Sequence, residues 1–256
     1  MTRHIDFEAI ENFRDFGGYA TACGRGVVGG RLYRSGHHAL ATDGDLERLH
    51  GLGVTAIVDL RSPGEREREP SRRHPAFAGV VIDNAIAPTT DWVAELLASP
   101  LTGEALVADT LRHYRINVFE PRLTDLFGRF LRAVGEADGA VVVHCAAGKD
   151  RTGLACAFLH HIAGVHRDDI IADYLMTNDE SRIERKMENA GAFVETLLGR
   201  RPTDDALRAW VQVYPAFLDA AFDEIRGRYG SVDVYLETVL DVDAALREAI
   251  HARVLG

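Results

Sequence analysis

The chain has 256 residues, 46% of them hydrophobic and 27% charged, which is ordinary for a soluble globular chain and enough to bury a sizeable core. A formal net charge of −10 and no basic run exclude nucleic acid and anionic membrane as general partners, so any anionic ligand must be attracted locally. Three scattered cysteines, Cys23, Cys145 and Cys156, make no disulfide framework or zinc pattern, and no apolar run approaches the roughly 18 residues of a membrane span.

The first residues, Met1 to Glu8, lack the apolar core of a signal peptide, so the expectation is a cytoplasmic protein. Residues 12–36 are glycine-rich. They open with Asn12-Phe13-Arg14-Asp15-Phe16-Gly17-Gly18-Tyr19, whose paired glycines read as a turn and whose aromatics read as anchors. A short strand is expected from Val27 to Tyr33, delivering Arg34 and Ser35. Arg14 and Arg34 read by default as surface or salt-bridge residues. Thr42 should cap a helix over 43–50, with Asp45 at the capping-box position and Leu46 and Leu49 facing inward. Thr55 to Leu60 is then a buried strand, and Asp59 and Arg61 emerge at its end, where open α/β sheets place ligands. Asp59 is most simply a residue that orients Arg151 or the loop around it, and it is also a candidate acid. The run Glu65-Arg66-Glu67-Arg68-Glu69 reads as a charged face or mobile loop.

Val80 to Ile82 is a further strand, with Asp83 and Asn84 beyond it. Residues 88–121 look like an insertion carrying helical pieces at 92–98 and 104–114, in which no chemistry is evident. Arg122 to Val134 is amphipathic, with Leu123, Leu126, Phe127, Phe130, Leu131 and Val134 on one stripe. It leads through Asp138-Gly139 into three consecutive valines, which read as a buried strand, and Leu154 to Ala163 is an apolar helix that stops at Gly164. The fold class this order predicts is α/β, a mostly parallel sheet flanked by helices.

Between that strand and that helix runs His144-Cys145-Ala146-Ala147-Gly148-Lys149-Asp150-Arg151-Thr152-Gly153. The N–H groups of a tight strand-to-helix loop point inward. Together with the orphan donors and dipole of the helix start, they form an anion cradle over residues 146–151. Cys145 opens the cradle, in the setting where thiols ionise at neutral pH. The planar fork of Arg151 matches two oxygens of a phosphate. Thr152 can donate its hydroxyl to the cysteine sulfur and help it leave a phosphocysteine, while His144 orders the loop rather than acting as a base. Lys149 raises the local potential. Asp150 is either the acid that protonates a leaving alcohol or a salt-bridge partner of Arg151, with Asp59 and Asp83 as the other acids in reach of the argument. Attack on phosphorus by this set needs no metal and no other cofactor. A silent phosphate-binding module and a sulfurtransferase are the competing readings, and Arg151 followed by Thr152 favours phosphorus.

After Gly164 the chain reads as helical to its end, over 168–176, 206–213, 215–226, 232–240 and 242–254, with Ser231 and Asp241 as N-caps. The stretch 177–198 is strongly charged with few apolar anchors and reads as a solvated helix. No repeat or low-complexity linker divides the chain, so 1–256 is expected to be one domain whose part from 165 to 256 is all-helical.

The loop sequence resembles the signature of the cysteine-dependent protein tyrosine phosphatases. It is most similar to the bacterial and fungal branch that includes a mycobacterial secreted phosphatase with tyrosine, serine/threonine and phosphoinositide activity. Asn12 to Tyr19 is similar to that branch's N-terminal motif, and Ile57-Val58-Asp59-Leu60-Arg61-Ser62 to its strand ahead of the core, in the same order. The resemblance implies a phosphatase of tyrosine or dual specificity acting on phosphorylated protein, with phosphoinositides as further substrates, and leaves a catalytically weak or lipid-only enzyme as alternatives. It implies that Cys145 is the nucleophile, that Asp150 is the acid, and that Lys149 can meet a second phosphate. It also places Arg14 and Arg34 beside the active site and makes the 177–198 stretch part of a lid. Export without a signal peptide occurs among such relatives.

Overall fold

A computed structural model describes residues 3–90, 94–95 and 98–256 of the chain. At its centre is a sheet of five strands, β1 (Arg14–Asp15), β2 (Leu32–Ser35), β3 (Val54–Asp59), β4 (Val80–Ile82) and β5 (Ala140–His144), in the spatial order β1-β2-β5-β3-β4. β5 is central and runs parallel to β2 and β3, β3 runs parallel to β4, and β1 pairs with β2 antiparallel. Eleven α-helices among the described residues flank it: α1 (Asp43–Gly51), α2 (Pro63–Arg68), α3 (Gly103–Asn117), α4 (Pro121–Glu136), α5 (Asp150–Ala163), α6 (Arg167–Leu175), α7 (Glu180–Leu198), α8 (Asp204–Val211), α9 (Pro215–Tyr229), α10 (Val232–Val239) and α11 (Ala244–Val254). This is the α/β architecture that the order of elements predicts.

The valines of β5 explain why the sheet lies in the middle. Side chains alternate along a strand, so Val141 and Val143 face one way and Val142 the other. On the first face they join Leu32, Ala56 and Val58 beneath α4, α5 and the C-terminal helices; on the second, Val142 joins Tyr33 and Ile57 beneath Leu46 and Leu49 of α1 and Ile10 and Phe13 of the N-terminal segment. Both faces are dry, which is why the strand is uninterruptedly apolar. The α4 stripe is buried at all six expected positions. Phe158 of α5 lies fully buried between Phe127 at 5.5 Å and Tyr235 at 5.7 Å, tying α4, α5 and α10 together. Phe158→Ala is expected to lower the unfolding free energy by about 3–5 kcal/mol, measured by denaturant titration, because the ring leaves a cavity its neighbours cannot close.

Three expectations need correction. Val27 to Gly30 does not enter the sheet, because Val28 N donates to Val254 O and Val27 bridges to Leu255, so the strand begins at Leu32. The 65–69 run is not a loop: Ser62 and Glu65 form a capping box with Pro63 in the first turn, and α2 results. Asp241 adopts φ +54° and does not cap α11, whose first turn is capped by Asp243. Of the helical piece expected at 92–98, residues 94–95 and 98 are helical and 92–93 and 96–97 lie outside the described residues.

Candidate active site

β5 ends at His144, and the chain turns through 145–149 before α5 begins at Asp150, four residues earlier than the apolar run alone suggests. The loop thus sits at the carboxyl end of the central strand and at the N-terminus of a buried helix. Its shape is fixed from outside, carbonyl by carbonyl. His37 N donates to Ala146 O at 3.0 Å. An Arg182 nitrogen donates to Ala147 O at 3.3 Å, and Asn12 Nδ2 and an Arg34 nitrogen donate to Gly148 O at 2.9 and 3.1 Å. Gly153 N donates to Lys149 O at 2.8 Å. A trans peptide points its carbonyl and the following N–H in opposite directions. Tying four successive carbonyls outward therefore turns the N–H groups of residues 147 to 150 toward the inside of the loop, the arrangement that binds anions.

Two glycines make this packing feasible. Gly148 has φ +67°, and a Cβ there would lie 2.4 Å from the Ser35 carbonyl, so only glycine lets the loop lie against the end of β2. At Gly153 a Cβ would lie 2.7 Å from the ring of Tyr174, which needs that space to reach the site from α6.

Cys145 is 2% exposed at the base of the loop. Arg151 is gripped by Glu65 of α2 in a bidentate pair, 2.7 and 2.8 Å, and also donates to Leu60 O at 3.3 Å. Burial opposes the guanidinium charge, but Glu65 more than offsets this and holds Arg151 above its ordinary range; burial would likewise raise Glu65, and Arg151 instead holds it well below the carboxylate range. The pair is ionised at any working pH. Glu65 covers the edge of the fork formed by the two terminal nitrogens, which leaves the edge containing Nε to face an anion.

Asp59 does not touch Arg151. It pairs bidentately with Arg61, and its Oδ2 lies 3.7 Å from His144 Nε2. Burial alone would raise this carboxyl, but the facing His144 and the bonds from Arg61 bring it down to about 2. Its part in the site is thus to face His144 rather than to orient Arg151. A group that acidic stays ionised and cannot deliver a proton at neutral pH. His144 stacks on His38 at 4.6 Å with Nδ1 toward Cys145 O at 3.3 Å, and burial lowers it to about 4, so it is neutral. Asp83 lies at the far edge strand, paired with Arg66, with no contact to the loop among the described residues.

Asp150 is the partly exposed carboxylate of the loop. Tyr114 of α3 donates to its Oδ1 at 3.0 Å, Tyr174 contacts the Tyr114 hydroxyl at 2.5 Å, and Lys149 Nζ lies 3.4 Å from Oδ2. Both tyrosines are pushed well above their ordinary range by burial and then by the Asp150 charge, so they remain hydrogen-bond donors. The insertion, in which the sequence shows no chemistry, therefore reaches the loop through Tyr114. Lys149 is turned outward to the Trp210 carbonyl of α8 at 2.5 Å. Thr152 Oγ1 is buried without a hydrogen-bond partner, so the expected bond to the cysteine sulfur is not made. As a helical threonine its usual alternative is the carbonyl four residues back. That is Gly148 O, already taken by Asn12 and Arg34.

Arg14 and Arg34 are neither exposed nor part of an open positive field. Both are fully buried around Asp173 of α6, with Arg34 2.7 Å and Arg14 Nε 3.5 Å from its oxygens. Burial and the repulsion from Arg34 lower Arg14 to about 10, still charged at neutral pH. Sequence reasoning missed Glu65, Tyr114, Asp173 and Arg182. Only Glu65 left a local signal, the Ser-Pro-x-Glu start of a capped helix.

Such a sheet, with an arginine-closed cysteine loop between its central strand and a helix, defines the protein class, and comparison with known proteins agrees. The model of the tyrosine phosphatase family matches residues 5–256, and the chain belongs to that family. It is similar to a Cupriavidus necator protein bearing a tyrosine-protein phosphatase name, 35% identical over 95% of this chain and 86% of that one. It is also similar to the triple specificity protein phosphatase PtpB of Mycobacterium tuberculosis, 30% identical over 96% of this chain and 95% of that one. A solved structure of TpbA from P. aeruginosa covers 75% of this chain and 94% of its own, with 19% identity and a TM-score of 0.33. The chain is a phosphatase. No described helix is long and apolar enough to cross a membrane.

Proposed function

We propose that this enzyme hydrolyses phosphate monoesters through a phosphocysteine at Cys145, with phosphotyrosine proteins as its first substrate class. The observation that carries the reading is the loop itself: four carbonyls pinned outward around Cys145, and an arginine whose fork is pre-oriented by Glu65. Cys145 attacks phosphorus in line. The inward N–H groups of residues 147–150 and the open edge of Arg151 hold the equatorial oxygens, whose charge they stabilise most in the transition state. Asp150 protonates the leaving oxygen, and its position by way of Tyr114 supports that role over Asp59, which Arg61 keeps ionised. Water then splits the phosphocysteine, with the sulfur as leaving group.

PtpB, by its name, has triple specificity. Phosphoserine, phosphothreonine and phosphoinositide substrates are proposed here on that similarity. A second phosphate would draw Lys149 away from Trp210 O. The α7–α8 pair, resting on α3 through Leu101, Leu106, Val194, Ala206 and Ala209 beside the loop, is proposed to act as the lid. One core cluster runs from Phe16 to Leu255, which supports reading 1–256 as a single phosphatase domain.

The test is acid quench of the enzyme turning over a 32P-labelled phosphotyrosine peptide with EDTA present. Label on the peptide containing residue 145 is expected; turnover with no label there overturns the reading. A panel of phosphopeptides and phosphoinositides then ranks the substrates. Asp150→Asn is expected to slow alkyl phosphates by about 10²–10⁴ and para-nitrophenyl phosphate far less, since a good leaving group needs no proton. Equal loss on both removes Asp150 from the acid role.

A further inference from the structure

Arg182 is 4% exposed in the first turn of α7 and reaches back toward the loop. One terminal nitrogen donates to Thr177 O at 2.9 Å, the other to Ala147 O at 3.3 Å, and its Nε is buried without a partner. Among the described residues no carboxylate lies within ion-pair distance of it. Burial lowers it from the ordinary arginine value, Glu11 and Asp150 oppose that, and Arg34 adds to it. A buried cation without an ion pair is costly, and an apolar side chain of similar length would fill the same space at lower cost. What an apolar side chain cannot do is donate to Ala147 O.

We infer that Arg182 is a positioning residue for the phosphate loop, pinning the Ala147 carbonyl so that the Gly148 N–H faces the anion and coupling the docking of α7 to phosphate affinity. The inference rests on the proposed role of residues 145–151. Among the carbonyl ties of the loop it is the one supplied by α7; that to residue 146 comes from His37 in the loop after β2, those to 148 from Asn12 and from Arg34 of β2, and that to 149 from α5. The docked position of α7, held by buried Ile183 and Val194, therefore decides whether the loop is fully set. Lys186 on the same helix pairs with Glu11 at 2.5 Å, which strengthens that docking.

The experiment uses the full chain and measures competitive inhibition by inorganic phosphate, kcat/KM on para-nitrophenyl phosphate, and the thermal midpoint. Arg182→Met is expected to raise the phosphate inhibition constant roughly tenfold to a hundredfold, the scale of a lost hydrogen bond to a charged donor, and Arg182→Lys to recover most of it. Arg185→Met, which removes the same charge from the exposed side of α7, should stay within about twofold of wild type, because exposed charges are screened. If Arg182→Met does not fold, Arg182→Leu, which also lacks a donor, takes its place with the same thresholds. Unchanged phosphate inhibition in the neutral variant overturns the inference, and so does a Lys variant as weak as the neutral one, which would mark side-chain shape rather than donation. Cys145→Ser separates the two levels. If it is inactive while Arg182→Met binds phosphate normally, only the Arg182 inference falls; if it remains active, the loop reading falls and takes the inference with it.

Discussion

Cys145→Ser is expected to lower kcat on every substrate by on the order of 10⁵–10⁶ while phosphate or vanadate still binds, as read by calorimetry. The argument is about activation. A hydroxyl needs a neighbouring base to become a nucleophile, and the histidine beside it in the chain, His144, is unsuited to that task. His144 is neutral, its Nδ1 lies against Cys145 O and its Nε2 is turned to Asp59 at 3.7 Å. The carbonyl ties and the Arg151–Glu65 pair do not involve the sulfur, so the cradle survives the substitution and affinity for the anion should be kept. Loss of kcat with binding retained marks an interaction used in the chemical step. A serine variant that keeps more than about 1% of turnover would require a base the described residues do not contain.

The parts of this fold legible in the sequence are those written in short-range patterns. Three valines, a six-position stripe and a Thr-x-x-Asp cap announce β5, α4 and α1, because strand alternation, helix periodicity and capping act over a few residues. The nucleophile and its arginine were legible for the same reason, being six residues apart on one loop. What holds that loop was not legible. Arg34 reaches Gly148 across 114 positions, and Asp173 binds Arg14 and Arg34 from a helix with no motif of its own. Charge pattern misled at Glu65, because an alternating acidic and basic run looks solvated whether or not one member turns inward. The Ser62 cap held the corrective signal: the capping box turns the third residue of a helix begun there back toward the end of β3, where Arg151 of α5 bonds the Leu60 carbonyl. Tyr114 was lost in an insertion that reads as plain amphipathic helix, since a tyrosine on an apolar stripe looks like core until its hydroxyl is seen to meet Asp150.

Arg151→Lys should cost about 10³–10⁵ in kcat/KM, the scale of an arginine that meets transition-state charge on a transferring phosphoryl group. Lysine keeps the charge but not the fork, so it cannot bind Glu65 and two phosphate oxygens at once. Glu65→Gln is the informative companion. The amide still offers one acceptor to Arg151 but removes the charge and the second acceptor, leaving a buried guanidinium held by one amide oxygen and the Leu60 carbonyl. Its charge is then less favoured and its edge is free to swing away from the loop. A drop of about 10–100-fold is expected, mostly in kcat, because a mobile fork can still meet a ground-state phosphate while missing the geometry of the transition state. Glu65→Gln in the Arg151→Lys background should add little, since the two residues act as one unit. Full additivity of the two losses would mean that Glu65 serves the site by some route other than Arg151, and the pre-oriented fork would have to be abandoned as the source of phosphate recognition.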